Sequence, residues 1–159
     1  ARSFAKMEAG MNNKGFTLME LLVVVIILGI LATYVGVKLV REPERARINQ
    51  TKIQIQALEQ ALKMYQMDNG EYPSTEQGLK ALVEKPTTGS IPRNWKEGGY
   101  LEKNKVPKDA WDNDYVYMNP GLHNPNGVDV FSYGPDGQPG GDGDNADIGN
   151  WESEASAAQ

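Results

Sequence analysis

The chemistry this sequence can offer is concentrated in oxygen ligands near its C-terminal end. Between Tyr133 and Trp151, Asp136, Asp142, Asp144 and Asp147 place four carboxylates within twelve residues, on a backbone with six glycines and two prolines. Hard oxygen donors on a loop able to curl suit Ca²⁺, which takes roughly six to eight oxygens and tolerates irregular geometry. The spacing is not that of an EF-hand, because no Glu closes the loop. One partial Gly-Gly-x-Gly turn also falls short of a calcium β-roll. Residues 109–159 hold ten acids and no Lys or Arg. Such a stretch either stays solvated and self-repelling or gathers a cation.

A second carboxylate stands apart from these. Lys14-Gly15-Phe16-Thr17-Leu18-Met19-Glu20 runs straight into an aliphatic stretch that ends at Val37, and Glu20 is the only charged group from Phe16 to Val37. Those 22 residues make a helix of about 33 Å, enough for a hydrocarbon core of about 30 Å. A carboxylate inside hydrocarbon costs roughly 2.5 kcal/mol unless it is paired. Glu20 therefore either sits at headgroup depth in a plain anchor or has a partner. Upstream, Arg2, Lys6 and Lys14 stand against Glu8, which predicts a leader held on the cytoplasmic side. Met7 and Met11 are both candidate starts, so residues 1–10 are set aside in reading the fold. No A-x-A-like site follows Val37. Cleavage is expected before the apolar run, at Gly15, where no side chain obstructs the backbone.

Other chemistries find no support. Cysteine is absent, which excludes disulfides, thiolate nucleophiles and cysteine metal sites. A net charge of −5 with no basic stripe argues against nucleic acid as a partner. His123, the single histidine, lies between Gly121 and Pro125 and reads as a solvated turn residue. No nucleophile elbow, phosphate-cradling loop or histidine cluster is present. The chain is not expected to be an enzyme.

The elements that must position the two acidic sites follow from periodicity. Ile48, Thr51, Ile55, Leu58, Leu62 and Tyr65 recur at three and four residues and mark one apolar helical face. Asn69-Gly70 supplies the stop. One helix is thus predicted from about Phe16 to Asp68, half in lipid and half packed on a domain. Ser74 and Gln77 form a capping-box pattern that predicts a short helix from about Thr75 to Glu84, stopped by Pro86. Alternation at Tyr115–Met118, and Val128, Val130 and Phe131, predict short antiparallel strands. A 159-residue chain has room for one anchor and one small α+β domain of this kind.

The string Gly15-Phe16-Thr17-Leu18-Met19-Glu20 resembles the class III signal of type IV pilins and type II secretion pseudopilins. Gly70–Leu79 and the Pro107–Tyr115 segment are similar to the major pseudopilins of type II secretion in particular. The resemblance implies cleavage after Gly15 by a prepilin peptidase, N-methylation of Phe16, and an apolar helix that becomes a filament spine. It implies a type IV pilin-like lollipop: leader 1–15, transmembrane and filament-core helix 16–40, periplasmic domain 41–159. It also implies a bacterial inner-membrane location. Glu20 then meets the Phe16 ammonium of an adjacent subunit. Partners are copies of the chain, minor pseudopilins and the inner-membrane assembly platform. The implied function is that of major subunit of a periplasmic filament that drives folded proteins through the outer membrane. Major pseudopilins bind calcium in this loop and end it with Asp-Ile-Gly-Asn-Trp, as at 147–151 here. Carried over by position, Asp136, Asp147 and the Tyr133 carbonyl are ligands, joined by Asp142 or Asp144. One departure stands out: many members carry a proline where this chain has Val37, and Gly36 and Pro43 flank the spot instead. The alternatives are a type IV pilin for adhesion, motility or DNA uptake, and a membrane-anchored calcium module that never polymerises. Against the pilin stands the lack of a C-terminal cysteine pair.

Overall fold

The computed structural model describes residues 14–152, and their side chains except those of 37–42. Residues 1–13, most of the expected leader 1–15, and residues 153–159 lie outside that range. The dominant element is α1, Leu18–Asn69, 52 residues long with Pro43 inside it. The chain divides into two compact units, Ala1–Glu42 and Pro43–Gln159.

In the first unit, Leu18–Gly36 has a mean hydropathy of 2.6 and none of it is buried. Leu, Val and Ile face outward on every side of the helix, so burial has to come from outside the single chain. One polar group of this segment is satisfied within the helix. Thr33 donates its hydroxyl to the Gly29 carbonyl at 3.0 Å, the back-bond that hides a threonine in an apolar helix.

The second unit is built on the predicted apolar face of α1. Thr51, Ile55, Leu58, Leu62 and Tyr65 are all buried, and Ile48 is half-buried beside them. They meet Leu79, Leu82, Tyr100, Tyr115, Tyr117, Val128, Val130 and Ile148 in one cluster. The helix stops where Asn69-Gly70 predicts. Gly70 adopts φ 84°, a left-handed conformation that glycine alone enters freely, and its N–H returns to Gln66 O at 2.7 Å. The helix expected from Thr75 to Glu84 is corrected to a turn at 75–77 and a single 3-10 turn, Leu79–Leu82. The capping box itself forms: Gln77 N–H donates to Ser74 Oγ at 3.1 Å and Ser74 N–H to Gln77 Oε1 at 2.9 Å. What stops propagation is Gly78 at φ 63°, outside the right-handed helical region. The Gln77 amide then reaches forward and donates to Thr88 O and Ser90 O at 2.8 and 2.9 Å.

The sheet has three antiparallel strands in the order β1-β2-β3: Val116–Met118, Asp129–Ser132 and Ile148–Gly149. Tyr117 pairs with Val130, and Phe131 with both Val116 and Gly149. β3 is too short to show alternation. Its pairing is prolonged by a side chain, because Asn150 accepts from Val130 N–H at 3.1 Å and donates to Val128 O at 2.9 Å.

Two core tyrosines carry a pH dependence. Burial pushes the Tyr115 hydroxyl well above the ordinary value of 10.0, with the Asp109 charge adding to it. Burial does the same to Tyr117, helped by Tyr72 and Tyr65. Tyr117 donates to Pro73 O at 2.7 Å, and Tyr115 to Gln54. Below pH of about 10 both groups are protonated whether folded or unfolded, and this contribution is fully present. Above it the unfolded chain releases protons that the folded chain holds, so stability falls by up to about 1.4 kcal/mol per pH unit for each tyrosine. Urea unfolding of residues 43–159 between pH 8 and 11 should show this decline, with a shallower slope in Tyr117→Phe. Pro73 O keeps its bond from Asn119 Nδ2 at 2.9 Å in that variant. Parallel slopes for parent and variant would exclude Tyr117 as a source.

Candidate functional site

The N-terminal residues singled out by the sequence sit together at the start of α1. Gly15 and Phe16 precede the helix; a Cβ at Gly15 would meet nothing within 4 Å, and Phe16 is 80% exposed. The backbone at this bond is open to an enzyme. Thr17 and Glu20 form a reciprocal capping box: Glu20 N–H donates to Thr17 Oγ1 at 3.2 Å, and Thr17 N–H to Glu20 Oε2 at 3.5 Å. Glu20 thus lies against the positive end of its own helix. The 3.5 Å contact is long, so its carboxylate remains able to take a stronger cationic partner.

The acidic loop follows β2. Tyr133 is half-buried with its ring edge-on to Phe131, centroids 5.5 Å apart. Asp136 is exposed and its Oδ1 accepts from Gln138 N–H at 3.1 Å. Asp142 caps the 3-10 turn Gly143–Asn145 through its carbonyl, leaving its carboxylate free of capping bonds, and Asp144 sits exposed inside that turn. Asp147 is different. Its Oδ2 accepts from Gly140 N–H at 3.0 Å, while Oδ1 is the one buried side-chain polar atom without a partner among the described residues. The four aspartates share one loop. Even so, no group of three or more His, Asp or Glu side chains is drawn together for a metal among the described residues.

Two acids of the same C-terminal third have a use that sequence reading missed. Asp109 is 6% exposed: Oδ1 accepts from Trp111 N–H at 3.0 Å and Asn113 N–H at 2.9 Å, and Oδ2 from the Ser132 hydroxyl at 2.6 Å. Asp129 is fully buried. Oδ2 accepts from His123 N–H at 2.9 Å, and Oδ1 from Asn124 N–H at 3.1 Å. Solvated tail and cation ligand were therefore not the only fates for these charges. Backbone N–H groups stabilise a carboxylate in place of water. The Asp109-x-Trp-x-Asn spacing carried the signal, since an aspartate that bonds the N–H two residues on makes an Asx turn. His123, read as a solvated turn residue, lies exposed in a bend as expected, and has contacts besides. Its ring stacks on Trp151 at 3.7 Å and 14°, with Nδ1 3.3 Å from Asp129 Oδ2. Gly121 has to be glycine, because a Cβ there would run into the Asp129 carboxylate.

Asp129→Ala would strand the N–H groups of His123 and Asn124, each costing about 1–3 kcal/mol when unpaired. Urea unfolding of residues 43–159 should show a loss on the order of 3 kcal/mol. Asp129→Asn, which keeps one acceptor oxygen, should lose less. A loss under about 1 kcal/mol in the alanine variant would refute this use of the carboxylate.

An apolar anchor with this N-terminal motif, and a small α+β unit with a three-stranded sheet, define a pilin-like subunit. Comparison with known proteins narrows the class. Residues 38–151 match the family "Type II secretion system (T2SS), protein G", and residues 10–35 match the "Prokaryotic N-terminal methylation motif". Type II secretion system core protein G of Vibrio cholerae is 53% identical over 140 residues, 88% of this chain and 92% of that one. The protein of the same name from Pseudomonas aeruginosa is 49% identical over 142 residues, 89% of this chain and 97% of that one. The crystal structure of the major pseudopilin from the type 2 secretion system of enterohaemorrhagic Escherichia coli superposes with a TM-score of 0.61 at 43% identity, covering 70% of this chain and 87% of that one. The chain belongs to the type II secretion system protein G family, and is a membrane-anchored subunit of the pseudopilus with the remainder outside the bilayer.

Proposed function

We propose that the chain is the major subunit of a periplasmic filament anchored in the bacterial inner membrane, whose growth drives folded proteins through the outer membrane. Its role is structural, not catalytic. A prepilin peptidase cuts after Gly15 and leaves Phe16 as an N-methylated terminus. Minor pseudopilins and an inner-membrane assembly platform complete its set of partners. The observation that carries the reading is the Leu18–Gly36 segment, apolar on all sides with Glu20 alone at its head. The Phe16 ammonium of a neighbouring subunit is a stronger partner for that carboxylate than its own long capping bond. Pairing removes an uncompensated charge from lipid, so it favours polymer over free subunit. Electron microscopy and intact mass test this together. Wild-type chain should start at N-methyl-Phe16 and form filaments. Glu20→Ala should be processed normally and give few filaments. Full filament yield from Glu20→Ala would exclude the pairing.

Calcium is the cofactor we assign to the 133–147 loop. What supports the fit is the buried, partnerless Oδ1 of Asp147, together with the free carboxylate of Asp142 or Asp144 on the same loop. Asp136, Asp147 and the Tyr133 carbonyl would hold the ion with one of those two. Bound there, the ion cancels the repulsion among the aspartates and ties the loop to the unit. Extracellular-type sites bind with dissociation constants of roughly 10⁻⁴ to 10⁻³ M. Calcium at about ten times that constant adds about 1.4 kcal/mol, a melting shift on the order of 5–10 °C for a domain of this size. Mg²⁺ should substitute poorly because it demands a tight octahedron. Thermal melting of residues 43–159 in EDTA, Ca²⁺ and Mg²⁺ reads this directly. A parent indifferent to Ca²⁺ would leave the loop a solvated acidic turn. Asp147→Ala should abolish the shift, and a variant that keeps it would unseat that ligand.

A further inference from the structure

The second unit carries an open groove that its own chain leaves unfilled. One wall is α1, through Gln54, Ala57, Gln60, Ala61 and Met64; the other is the segment 100–108. Its volume is about 670 Å³. Ala57 and Met64 on the helical wall, with Leu101, Val106 and Pro107 opposite, give the groove its apolar lining. The helical wall also continues beyond the groove. Ile53, Ala57, Gln60, Met64 and Met67 recur at four and three residues and are all exposed, Ile53 by 66% and Met67 by 82%. That is a second helical stripe, separate from the buried face of α1. Lys103, Lys105 and Lys108 stand on the rim, beside Glu102 and Asp112. None of the three lysines has an ion-pair partner among the described residues.

The same unit also carries a surface whose charge is opposite to that of the groove's lysines. From Gln138 to Asn145 every residue is exposed, and Pro139 is the only apolar side chain among glycines and aspartates. Asp136, Asp142 and Asp144 are exposed there without a cationic partner. With a divalent ion in place, the loop's four carboxylates keep two net negative charges. An exposed acidic loop with a single apolar side chain therefore complements a partly apolar groove that three lysines line. Lysines and loop form no ion pair within one chain.

We propose that the groove between α1 and the 100–108 segment seats the 136–147 loop of a second copy of this chain. This rests on the filament reading given above and names one of its contacts. The contact is heterologous: each copy offers its groove to one neighbour and its loop to another. Such interfaces propagate into open assemblies when the rotation does not close. Opposite charges on the two surfaces fix register and exclude groove-on-groove pairing.

The 159-residue sequence has no cysteine, so introduced thiols report one contact at a time. Full-length chain carrying Ala57→Cys and Gln138→Cys together should give a ladder of disulfide-linked multimers after mild oxidation of membranes. Each single variant should stay monomeric on the same gel. Filaments of the double variant without a ladder would overturn the proposal while leaving the filament reading intact. Dimers from Ala57→Cys alone would overturn it in favour of a symmetric contact. Wild-type chain that forms no filaments would overturn both. Lys103→Glu with Lys105→Glu gives a second measure that needs no thiol. It should lower filament yield by about fivefold or more at unchanged subunit level, since like charges then face each other. An unchanged yield would overturn the groove as the seat.

Discussion

Every peptide group withdrawn from water in the second unit has to find a hydrogen-bond partner, and beyond the end of α1 regular structure supplies few of them. Its three strands are three, four and two residues long, and much of 70–115 is turn and bend. A buried N–H or C=O without a partner costs as much as a lost hydrogen bond. The unit meets that demand with side chains. Gln77 ties 74 to 88 and 90; Trp95 donates to Ala81 O at 2.8 Å; Asp109, Asp129 and Asn150 hold the loops around the sheet. The long helix contributes the apolar surface, and these polar residues fix the path of the chain across it.

This division explains why some features were legible in the sequence and others were not. Apolar periodicity reports burial, so the face from Thr51 to Tyr65 could be read from spacing alone. Turn chemistry reports local backbone, so Asn69-Gly70 and the Ser74–Gln77 box were legible too. What failed was extrapolation from a start signal to a full helix, because one glycine with positive φ outweighed the cap. β3 was silent, since two residues cannot alternate. Asp129 was silent for another reason. Its partners at 123 and 124 are set by the path of a loop, and a count of acids treats a buried carboxylate and a solvated one alike. Of the loop aspartates, the sequence showed their density. Only coordinates distinguish Asp147, with one oxygen out of water, from exposed Asp136, Asp142 and Asp144.

The two units solve opposite solvation problems with one continuous helical element. Before Gly36, α1 folds the Thr33 hydroxyl back onto its own backbone and turns mostly hydrocarbon outward. After Pro43 it turns one face inward and leaves the rest to water. Pro43 lacks an N–H and so removes one rung of the helical ladder. It is exposed, where water can take the freed carbonyl.

The Thr33 hydroxyl, folded back onto the Gly29 carbonyl, has a consequence for how such anchors lie side by side. A helix with a polar stripe has a preferred azimuth, because one side is drawn to a neighbour or to water. Leu18–Gly36 has no such stripe. Apart from Tyr34, its outward surface is Leu, Val, Ile and other apolar residues, which would offer a neighbour dispersion contacts nearly equal in every direction. Depth along the axis is marked by Glu20, while rotation about the axis is left unmarked. Laid side by side, such helices would meet as smooth rods with little to resist rotation against one another. In an assembly built this way, twist and bend would cost little in the hydrocarbon layer, and the watery domains would have to set them.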